Sequence, residues 1–290
     1  MKTKGHILSS TSQAEVRACE AADRPVVGLA QDYPSGLFAD FHSHPGAQLL
    51  YAVSGVMKVE TRSTSFIIPP STALILPANT EHSIFMDGPV AMRTLFLREP
   101  AASRVCHSSK VIAVTRLLRE LIVAACSEPL DWDLSGRGRY IIELALDEIE
   151  RSPILPVDLP MAQDSRLRRV VDAVRTNPAD NRCLSEWSEM VGASERTLAR
   201  LFRSETGLSF RQWRQQARLT AAMSSLSNGC SPVKAASIAG FNSQSAFGAA
   251  FRKFFGITPG KARTLNLVSA EQAAFQLRSN YQLPPSESAI

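Results

Sequence analysis

His42 and His44 are separated by a single residue, a spacing that places both imidazoles on the same face of an extended chain. Neutral imidazole nitrogen binds divalent metal ions and also forms hydrogen bonds with polar organic molecules. This pair is therefore the centre of a predicted ligand site. The residues around the pair decide which of the two ligand classes the site suits.

Arg196 and Arg200 are four residues apart, the spacing that places two side chains on one face of an α-helix. A guanidinium presents a planar fork of donors to O6 and N7 of guanine, and a good pair of this kind discriminates between bases by about 1–3 kcal/mol. Alternatively, the two arginines contact phosphate or only form a solvated face of the helix. The pair predicts a helix that contacts DNA.

The helix that carries these arginines belongs to an internal repeat. At a shift of 49 residues the chain matches itself at Ser194, Leu198, Phe202, Arg203, Gly207 and Ser209 against Ser243, Phe247, Phe251, Arg252, Gly256 and Thr258. Each copy has a serine that caps the helix start and a glycine just past its end. Two copies predict paired modules, because a solenoid needs more repeats.

A shorter apolar-periodic helix precedes each copy, over Leu184 to Val191 and over about Val233 to Ala239. Each short helix ends at a glycine, Gly192 or Gly240, and a capped helix follows. This order is the helix-turn-helix pattern. The stretch from Phe210 to Ser227 contains no Gly or Pro and predicts one continuous helix that connects the two motifs.

The runs at 194–202, 218–219, 240–247, 251–252 and 256–259 resemble the DNA-binding domain of the AraC/XylS family over about 100 residues. The resemblance implies a transcription regulator that binds promoter DNA and a small-molecule effector. It also implies a homodimer, in which the first helix after the strands makes a contact, and RNA polymerase as a further partner. The N-terminal domains of such regulators often look like cupins and are generally sensors.

In a helix-turn-helix motif the N-terminal half of the second helix lies near the base edges. The predicted DNA-contacting residues are Glu195, Arg196, Thr197, Arg200, Arg203, Gln244, Ser245, Gly248, Ala249 and Arg252. By the family resemblance Arg200 occupies a base-reading position, whereas Ala249 takes the equivalent place in the second copy. We expect Arg203 and Arg252 to contact phosphate or nearby acidic groups. The second helix is expected to read DNA through Gln244 and Ser245, by apolar contact with a thymine methyl, or mainly through phosphates.

From residue 26 to residue 97 the chain changes to short apolar or alternating runs separated by turn residues. This pattern is typical of a small β-sandwich or barrel. The predicted strands are Leu49 to Val53, Met57 to Thr61, Phe66 to Ile68, Ala73 to Leu76, Ser83 to Met86 and Met92 to Leu97. Predicted turns lie at Ser54-Gly55, Ser63-Thr64 and Pro77-Ala78-Asn79.

Within these strands the order Gly36, His42, His44, Gln48 and Gly55 resembles the first cupin motif, and Pro77 and His82 resemble part of the second. By this resemblance His42, His44 and His82 stand where metal-binding cupins keep ligands. Three departures are Gln48 for the usual Glu, Asn79 for Gly and Met86 for Asn. A neutral amide is a poorer ligand for a hard cation.

These departures favour histidines that hydrogen-bond inside the barrel mouth or contact an organic effector, in a site made of His42, His44, Gln48 and His82, with no cofactor expected. A divalent metal held by the three histidines is the alternative. The departures also count against the competing function, a metal-dependent cupin enzyme with an appended DNA-binding domain. We therefore predict a regulator and not an enzyme.

The net charge of +5 is unevenly distributed. Residues 161–265 contain 16 lysines and arginines against 7 aspartates and glutamates, whereas the remainder contains 16 against 20. A basic excess on a helix-turn-helix pair is the electrostatic footprint of phosphate binding. The five cysteines are scattered, and there is no apolar run long enough for a membrane span or a signal peptide, so we expect a cytoplasmic protein.

A length of 290 residues suggests two domains. The predicted fold class is α+β: a cupin-like β-barrel with a helical pair, then an all-α domain with two helix-turn-helix motifs joined by a long helix. The predicted boundaries are 1–107 for the barrel, 108–160 for the helical pair and a linker, 161–265 for the DNA-binding domain and 266–290 for a loosely ordered tail.

Overall fold

The computed structural model of the protein describes residues 10–155 and 158–264. The first part of the chain contains the strands and four helices, the second part is helical, and the predicted α+β class is confirmed. The predicted tail at 266–290 lies outside the described residues. No helix in the described ranges is long and apolar enough to cross a bilayer.

The first part, here called the sheet domain, contains a nine-stranded antiparallel sheet within the described ranges. Its strand order is β1-β6-β3-β5-β7-β8, with β2 beside β6 and β4 between β3 and β9. The strands are β1 (Val26–Tyr33), β2 (Phe38–His42), β3 (Ala47–Thr61), β4 (Thr64–Ile68), β5 (Thr72–Leu76), β6 (His82–Leu97), β7 (Lys110–Ala113), β8 (Ile154–Leu155) and β9 (Asp158–Pro160).

The sheet is built around two strands that are longer than predicted. The predicted turn at Ser54-Gly55 is wrong, because β3 continues through it as an irregularity in its pairing with β6. Gly55 has a φ of 81°, and a Cβ there would lie 2.1 Å from the carbonyl oxygen of Pro89. Glycine lets β3 bend at this point without ending. The predicted break between Met86 and Met92 is likewise absent, since β6 runs through it.

Four helices belong to the sheet domain: α1 (Ser10–Ala21), α2 (Ala101–Val105), α3 (Arg116–Ala125) and α4 (Arg137–Arg151). The predicted helical pair is α3 and α4, whose apolar side chains, among them Leu118 and Leu146, share a buried cluster with Leu49 and Ile75 of the sheet. The segment predicted to begin with the helical pair, from residue 108, starts with a strand, because Val111 lies in β7, which pairs with β5. Thr115 then caps α3 by accepting from the N–H of Leu118.

The segment predicted as a linker is partly strand. β8 pairs with β7, and β9 pairs with β4, so both ends of this segment are hydrogen-bonded to the sheet domain. Leu159 of β9 is buried in the core of the helical part that follows. The segment therefore ties the two parts of the chain together.

The second part, here called the helical domain, closely follows the predicted pattern. Its helices are α5 (Ser165–Thr176), α6 (Leu184–Val191), α7 (Glu195–Thr206), α8 (Phe210–Ser227), α9 (Pro232–Ile238) and α10 (Gln244–Phe255). The side chains of Ser194 and Ser243 cap α7 and α10 as predicted, accepting from the N–H groups of Thr197 and Ala246. Helix α8 is the connecting helix, and it buries Trp213, Ala217 and Leu226.

The two domains touch along α8. Asp87 of β6 accepts hydrogen bonds from Ser224 and from Asn228, the latter at 3.1 Å, and it pairs with Lys58 of β3 at 2.7 Å. A second ion pair joins Glu60 of β3 to Arg175 of α5. The sheet domain and the two helix-turn-helix motifs are thus held in one arrangement by polar contacts.

Candidate functional sites: a histidine chamber and a basic helical surface

The three predicted histidines converge in the structure. His42 ends β2, His82 begins β6, and His44 lies in the loop between β2 and β3. The ring centroids are 5.0 Å apart for His42 and His44, 4.4 Å for His42 and His82, and 5.5 Å for His44 and His82. One ring nitrogen from each lies within 4.8 Å of the others. The structure therefore brings this predicted set together.

The Nδ1 atom of each histidine has a defined partner. Nδ1 of His42 lies 2.6 Å from the carbonyl oxygen of Asp40, and Nδ1 of His82 lies 2.9 Å from that of Thr80. Nδ1 of His44 lies 2.7 Å from a carboxylate oxygen of Glu20 on α1. These contacts fix the orientation of all three rings.

Gln48 lies on β3 beside the histidines and is buried. Its Nε2 donates to Thr94 Oγ1 at 3.1 Å, and Thr94 in turn donates to the carbonyl oxygen of Leu49 at 2.9 Å. Among the described residues, Oε1 of Gln48 and Nε2 of His82 are buried acceptors that have no hydrogen-bond partner. Buried polar atoms without partners are uncommon in native structures, and a bound water, ion or ligand is an ordinary partner for such atoms.

Burial also sets the protonation of His44 and His82. It lowers the pKa of His82 to about 4, against a hydrogen bond to Thr80 that raises it. Burial lowers the pKa of His44 as well, although the hydrogen bond to Glu20 opposes that shift. Both imidazoles are therefore neutral at pH 7, and they present lone pairs rather than positive charge.

His42 and His44 line a chamber of about 400 Å³, which lies between the sheet and α1. His82 is buried next to them, with its ring centroid 4.4 Å from that of His42. The apolar wall of the chamber includes Tyr33, Met86, Met92 and Phe96. Met86, which departs from the cupin pattern, thus contributes to the apolar wall. Asn79, the other departure, has a φ of 60°, which asparagine tolerates, and its N–H donates to the carbonyl oxygen of His44 at 2.7 Å.

Sequence reasoning missed the contribution of α1 to this chamber. Gln13, Val16, Arg17 and Glu20 all line it. The contact between Glu20 and His44 spans 24 residues of chain. Neither residue belongs to a motif that includes the other, so no local signal marks the pair.

The predicted DNA-contacting side chains of α7 lie on its outer surface. Glu195, Arg196, Arg200 and Arg203 are exposed, whereas Thr197 is half-buried and lies 2.9 Å from the capping hydroxyl of Ser194. In the described part of the chain, no hydrogen bond or ion pair engages the three guanidinium groups. These cations are therefore available to a polyanion.

Other arginines of the helical domain are structural. Arg218 donates to the carbonyl oxygens of Pro178 and Asp180, and Arg214 donates to that of Arg182 at 2.7 Å. Burial lowers the pKa of both guanidiniums. The arginines of this domain thus fall into two groups. Arg214 and Arg218 are half-buried and donate to backbone carbonyls. Arg196, Arg200 and Arg203 of α7 are exposed and have no hydrogen bond or ion pair to the described residues.

Helix α10 presents a different surface. Gln244, Ser245, Ala249 and Arg252 are exposed. Gly248 is half-buried, and no described atom lies within 4 Å of the place where a Cβ would stand. The second helix therefore has open space at Gly248 and a short Ala249 in the place where α7 has Arg200.

Comparisons with known proteins agree with this division. The family model for an AraC-like ligand binding domain matches residues 25–139, and that for a helix-turn-helix domain matches residues 187–264. The chain is 32% identical over 238 residues to the HTH-type transcriptional regulator NimR of Escherichia coli K12, covering 82% of this chain and 87% of that protein. It is 36% identical over 131 residues to RipA of Corynebacterium glutamicum, covering 45% of this chain and 38% of that regulator.

Among solved structures, ToxT from Vibrio cholerae with a bound unsaturated fatty acid is 13% identical. That match covers 84% of this chain and 96% of the other, with a TM-score of 0.36. An AraC-type transcriptional regulator from Chromobacterium violaceum is 27% identical over 35% of this chain and 91% of the other, with a TM-score of 0.33.

Proposed function

The chain belongs to the AraC family of HTH-type transcriptional regulators, with an N-terminal ligand-binding domain and a C-terminal DNA-binding domain, and on that premise we propose which residues serve each function. His42, His44, Gln48 and His82 bind the effector in the chamber. The observation that supports this assignment is the convergence of three oriented imidazoles beside two buried acceptors, Oε1 of Gln48 and Nε2 of His82, that have no partner among the described residues.

DNA is bound through α7 and α10. Arg200 reads a base, Arg196 lies on the same face, and Glu195 and Thr197 flank it at the helix start. Arg203 and Arg252 contact phosphate, and Gln244, Ser245, Gly248 and Ala249 form the face of α10 toward DNA. The exposure of most of these positions and the free guanidiniums of α7 support this assignment.

We also propose a cytoplasmic homodimer. Leu117 of α3 and Tyr140 and Leu144 of α4 are large apolar side chains that stay exposed, at 47%, 70% and 44%. A dimer through this helical pair would link two DNA-binding domains and raise the affinity for paired sites. In the proposed division of the chain, residues 1–107 bind the effector, residues 108–160 form the dimer contact and the linker, and residues 161–265 bind DNA. Contact with RNA polymerase stays a prediction.

The competing function, a metal-dependent enzyme with an appended DNA-binding domain, loses support because a relative that matches along 82% of the chain is a transcriptional regulator. The experiment that tests the proposal is a nuclease footprint on the DNA that flanks the gene, with and without a panel of small molecules. Protection of a defined sequence that changes with one compound supports it. Binding that shows no preferred sequence contradicts the base-reading role of α7.

A further inference from the structure

We infer that the state of the chamber acts on the second helix-turn-helix motif alone, and that Asp87 of β6 is the residue through which it acts. The first motif is formed by α6 and α7, and the second by α9 and α10. This role goes beyond the proposed function and depends on it, because it assigns the influence of the effector to one of the two DNA-contacting helices, α10.

The two motifs belong to different hydrophobic cores. The first motif packs around Trp187 and Phe202, in a cluster that also contains Leu159 of β9. The second motif packs around Phe247, in the cluster that contains Met86 of the chamber wall. Helix α8 joins both, because its first half is buried in the first cluster and its second half in the second. The core of the second motif is therefore continuous with the wall of the chamber.

Strand β6 has the chamber on one face and the helical domain on the other. Ile84 and Met86 line the chamber, and side chains alternate along a strand, so Asp87 points to the opposite face. There Asp87 accepts hydrogen bonds from Ser224 of α8 and, at 3.1 Å, from Asn228 at the end of that helix. A shift of β6 that accommodates a molecule against Met86 therefore also moves the acceptor that holds the end of α8.

The end of α8 lies very close to β6. Gly88 has a φ of 94°, and a Cβ there would lie 2.6 Å from Oδ1 of Asn228, so glycine permits this approach. Asp87 is also held from the sheet side, by an ion pair with Lys58 of β3 at 2.7 Å. A displacement of β6 therefore either carries the end of α8 with it or breaks these hydrogen bonds.

The end of α8 is packed directly against the second motif. Leu226 of α8 shares its buried cluster with Ala235 of α9 and Phe247 of α10. Close-packed side chains transmit a displacement, because the interior has little free volume to absorb it. A shift at Asn228 therefore moves α9 and α10, whereas α7 stays with the first cluster.

The contacts of the first motif start from parts of the sheet domain that do not line the described chamber. Glu60 of β3 pairs with Arg175 of α5, but its neighbours Val59 and Thr61 are not chamber residues. Strand β9, which packs on the first cluster through Leu159, contributes nothing to the chamber lining either. The two domains are thus joined in two places, and the chamber wall adjoins the place that holds the second motif.

Hydrogen exchange of the full-length protein, followed by mass spectrometry, tests this role without any effector. Asp87→Asn should speed exchange of the α9 and α10 amides by about 10–100-fold, because a hydrogen bond to a charged group resists local opening. Exchange in α6 and α7 should not change. Ser224→Ala, which removes the donor on the other side, should act in the same direction. Glu60→Gln is the matched control, since it breaks the other ion pair between the domains and should leave α9 and α10 unchanged.

Met86→Ala extends the same measurement to the chamber wall. This change loosens the wall without altering the side chains of the contact with α8, and it should also speed exchange in α9 and α10 but not in α6 and α7. Exchange that rises equally in α7 and α10, or that stays unchanged in α10 for Asp87→Asn, would overturn the inference. If Met86→Ala unfolds, the comparison of Asp87→Asn with Glu60→Gln decides.

A hydroxyl-radical footprint on the operator tests the consequence for DNA. The segment that loses protection with Arg200→Ala is the one bound by α7. A compound from the panel that acts through the chamber should change protection only in the other segment, and Asp87→Asn should abolish that change. A change in the segment of α7 would overturn the inference. If no compound changes any protection, the proposed effector function fails, and the exchange measurement alone decides whether the sheet domain controls the second motif.

Discussion

Arg200 is the exposed side chain of α7 that we expect to read a base. Arg200→Ala should weaken binding to the cognate site by about 1–3 kcal/mol, because a guanidinium that pairs with guanine is lost. Binding to unrelated DNA should change far less. Fluorescence anisotropy with both DNAs at one salt concentration measures the difference.

Arg252 of α10 provides the matched comparison, since it is also exposed but is proposed to contact phosphate. Arg252→Ala should weaken binding to both DNAs similarly and reduce the slope of log affinity against log salt by about 1. If Arg200→Ala lost equal binding free energy on both DNAs, Arg200 would contact phosphate and not a base.

At the residue scale, the sequence predicted side chains that belong to a local pattern. His42 and His44 follow from strand spacing, and the arginines of α7 follow from helix spacing. Glu20, which orients His44, lies on a helix that no motif marks. The partners of buried atoms depend on how distant segments pack, and spacing along the chain carries no information about that.

Gly248 offers a test at the scale of one helix. Since no described atom lies within 4 Å of the place of a Cβ, Gly248→Ala should stabilise α10 by up to about 1 kcal/mol. If DNA approaches this position closely, the same change should weaken DNA binding. Thermal unfolding and DNA affinity, measured on one preparation, check the two effects. A loss of stability would contradict the open environment of Gly248.

Asp87 tests the contact between β6 and α8. Asp87→Asn keeps the shape of the side chain but removes its negative charge. The variant therefore loses the ion pair with Lys58 and the charged acceptor for the hydroxyl of Ser224. We expect the free energy of unfolding at pH 7 to fall by about 1.5–3 kcal/mol, the range for hydrogen bonds to charged groups. Urea unfolding followed by circular dichroism measures the loss, and Asp32→Asn, at an exposed carboxylate, is the control.

The same pair of proteins should differ in their pH dependence. Burial raises the pKa of Asp87, but hydrogen bonds from Lys58, Ser224 and Asn228 outweigh burial and hold that pKa below its usual value. A carboxylate whose pKa is lower in the folded state stabilises the fold above its unfolded pKa of about 4 and loses that effect as the pH falls. Wild type and Asp87→Asn should therefore converge in acid. A difference that grows below about pH 4 would contradict this role.

At the scale of elements, helices were predicted better than strands. The caps Ser194 and Ser243 and the glycines that follow each helix are local chemistry, so α7 and α10 end where expected. Strand limits failed at Gly55, where a glycine allows a bend inside β3 rather than a turn. A glycine with positive φ can end a strand in a turn or bend a strand that continues. Only the pairing of β3 with the distant strand β6 shows which of the two occurs at Gly55.

The whole molecule is tied together by β9, and this bears on how the helical domain can be isolated. A fragment of residues 164–265 contains both motifs and should fold and bind DNA weakly. A fragment that starts at residue 158 should be more stable by about 1.5–3 kcal/mol, because Leu159 then fills the core of α5, α6 and α7. Trp213 would also keep its hydrogen bond to the carbonyl oxygen of Pro160.

Urea unfolding of both fragments measures this difference. Equal stabilities would show that β9 belongs to the sheet domain alone, and aggregation of both would contradict an independent helical domain. The sequence predicted the order of the two domains, because their periodicities differ. It did not predict their contact through Asp87 and α8, since neither side of that contact carries a repeating pattern.

The central claim is that the histidine chamber governs DNA binding from a separate domain. The most direct measurement is the operator affinity of wild type, His82→Ala and His107→Ala, each with and without the compound identified by footprinting. We predict that the compound shifts the affinity of wild type and His107→Ala, and leaves that of His82→Ala unchanged at a basal affinity equal to wild type. A His82→Ala protein that responds like wild type would contradict the claim.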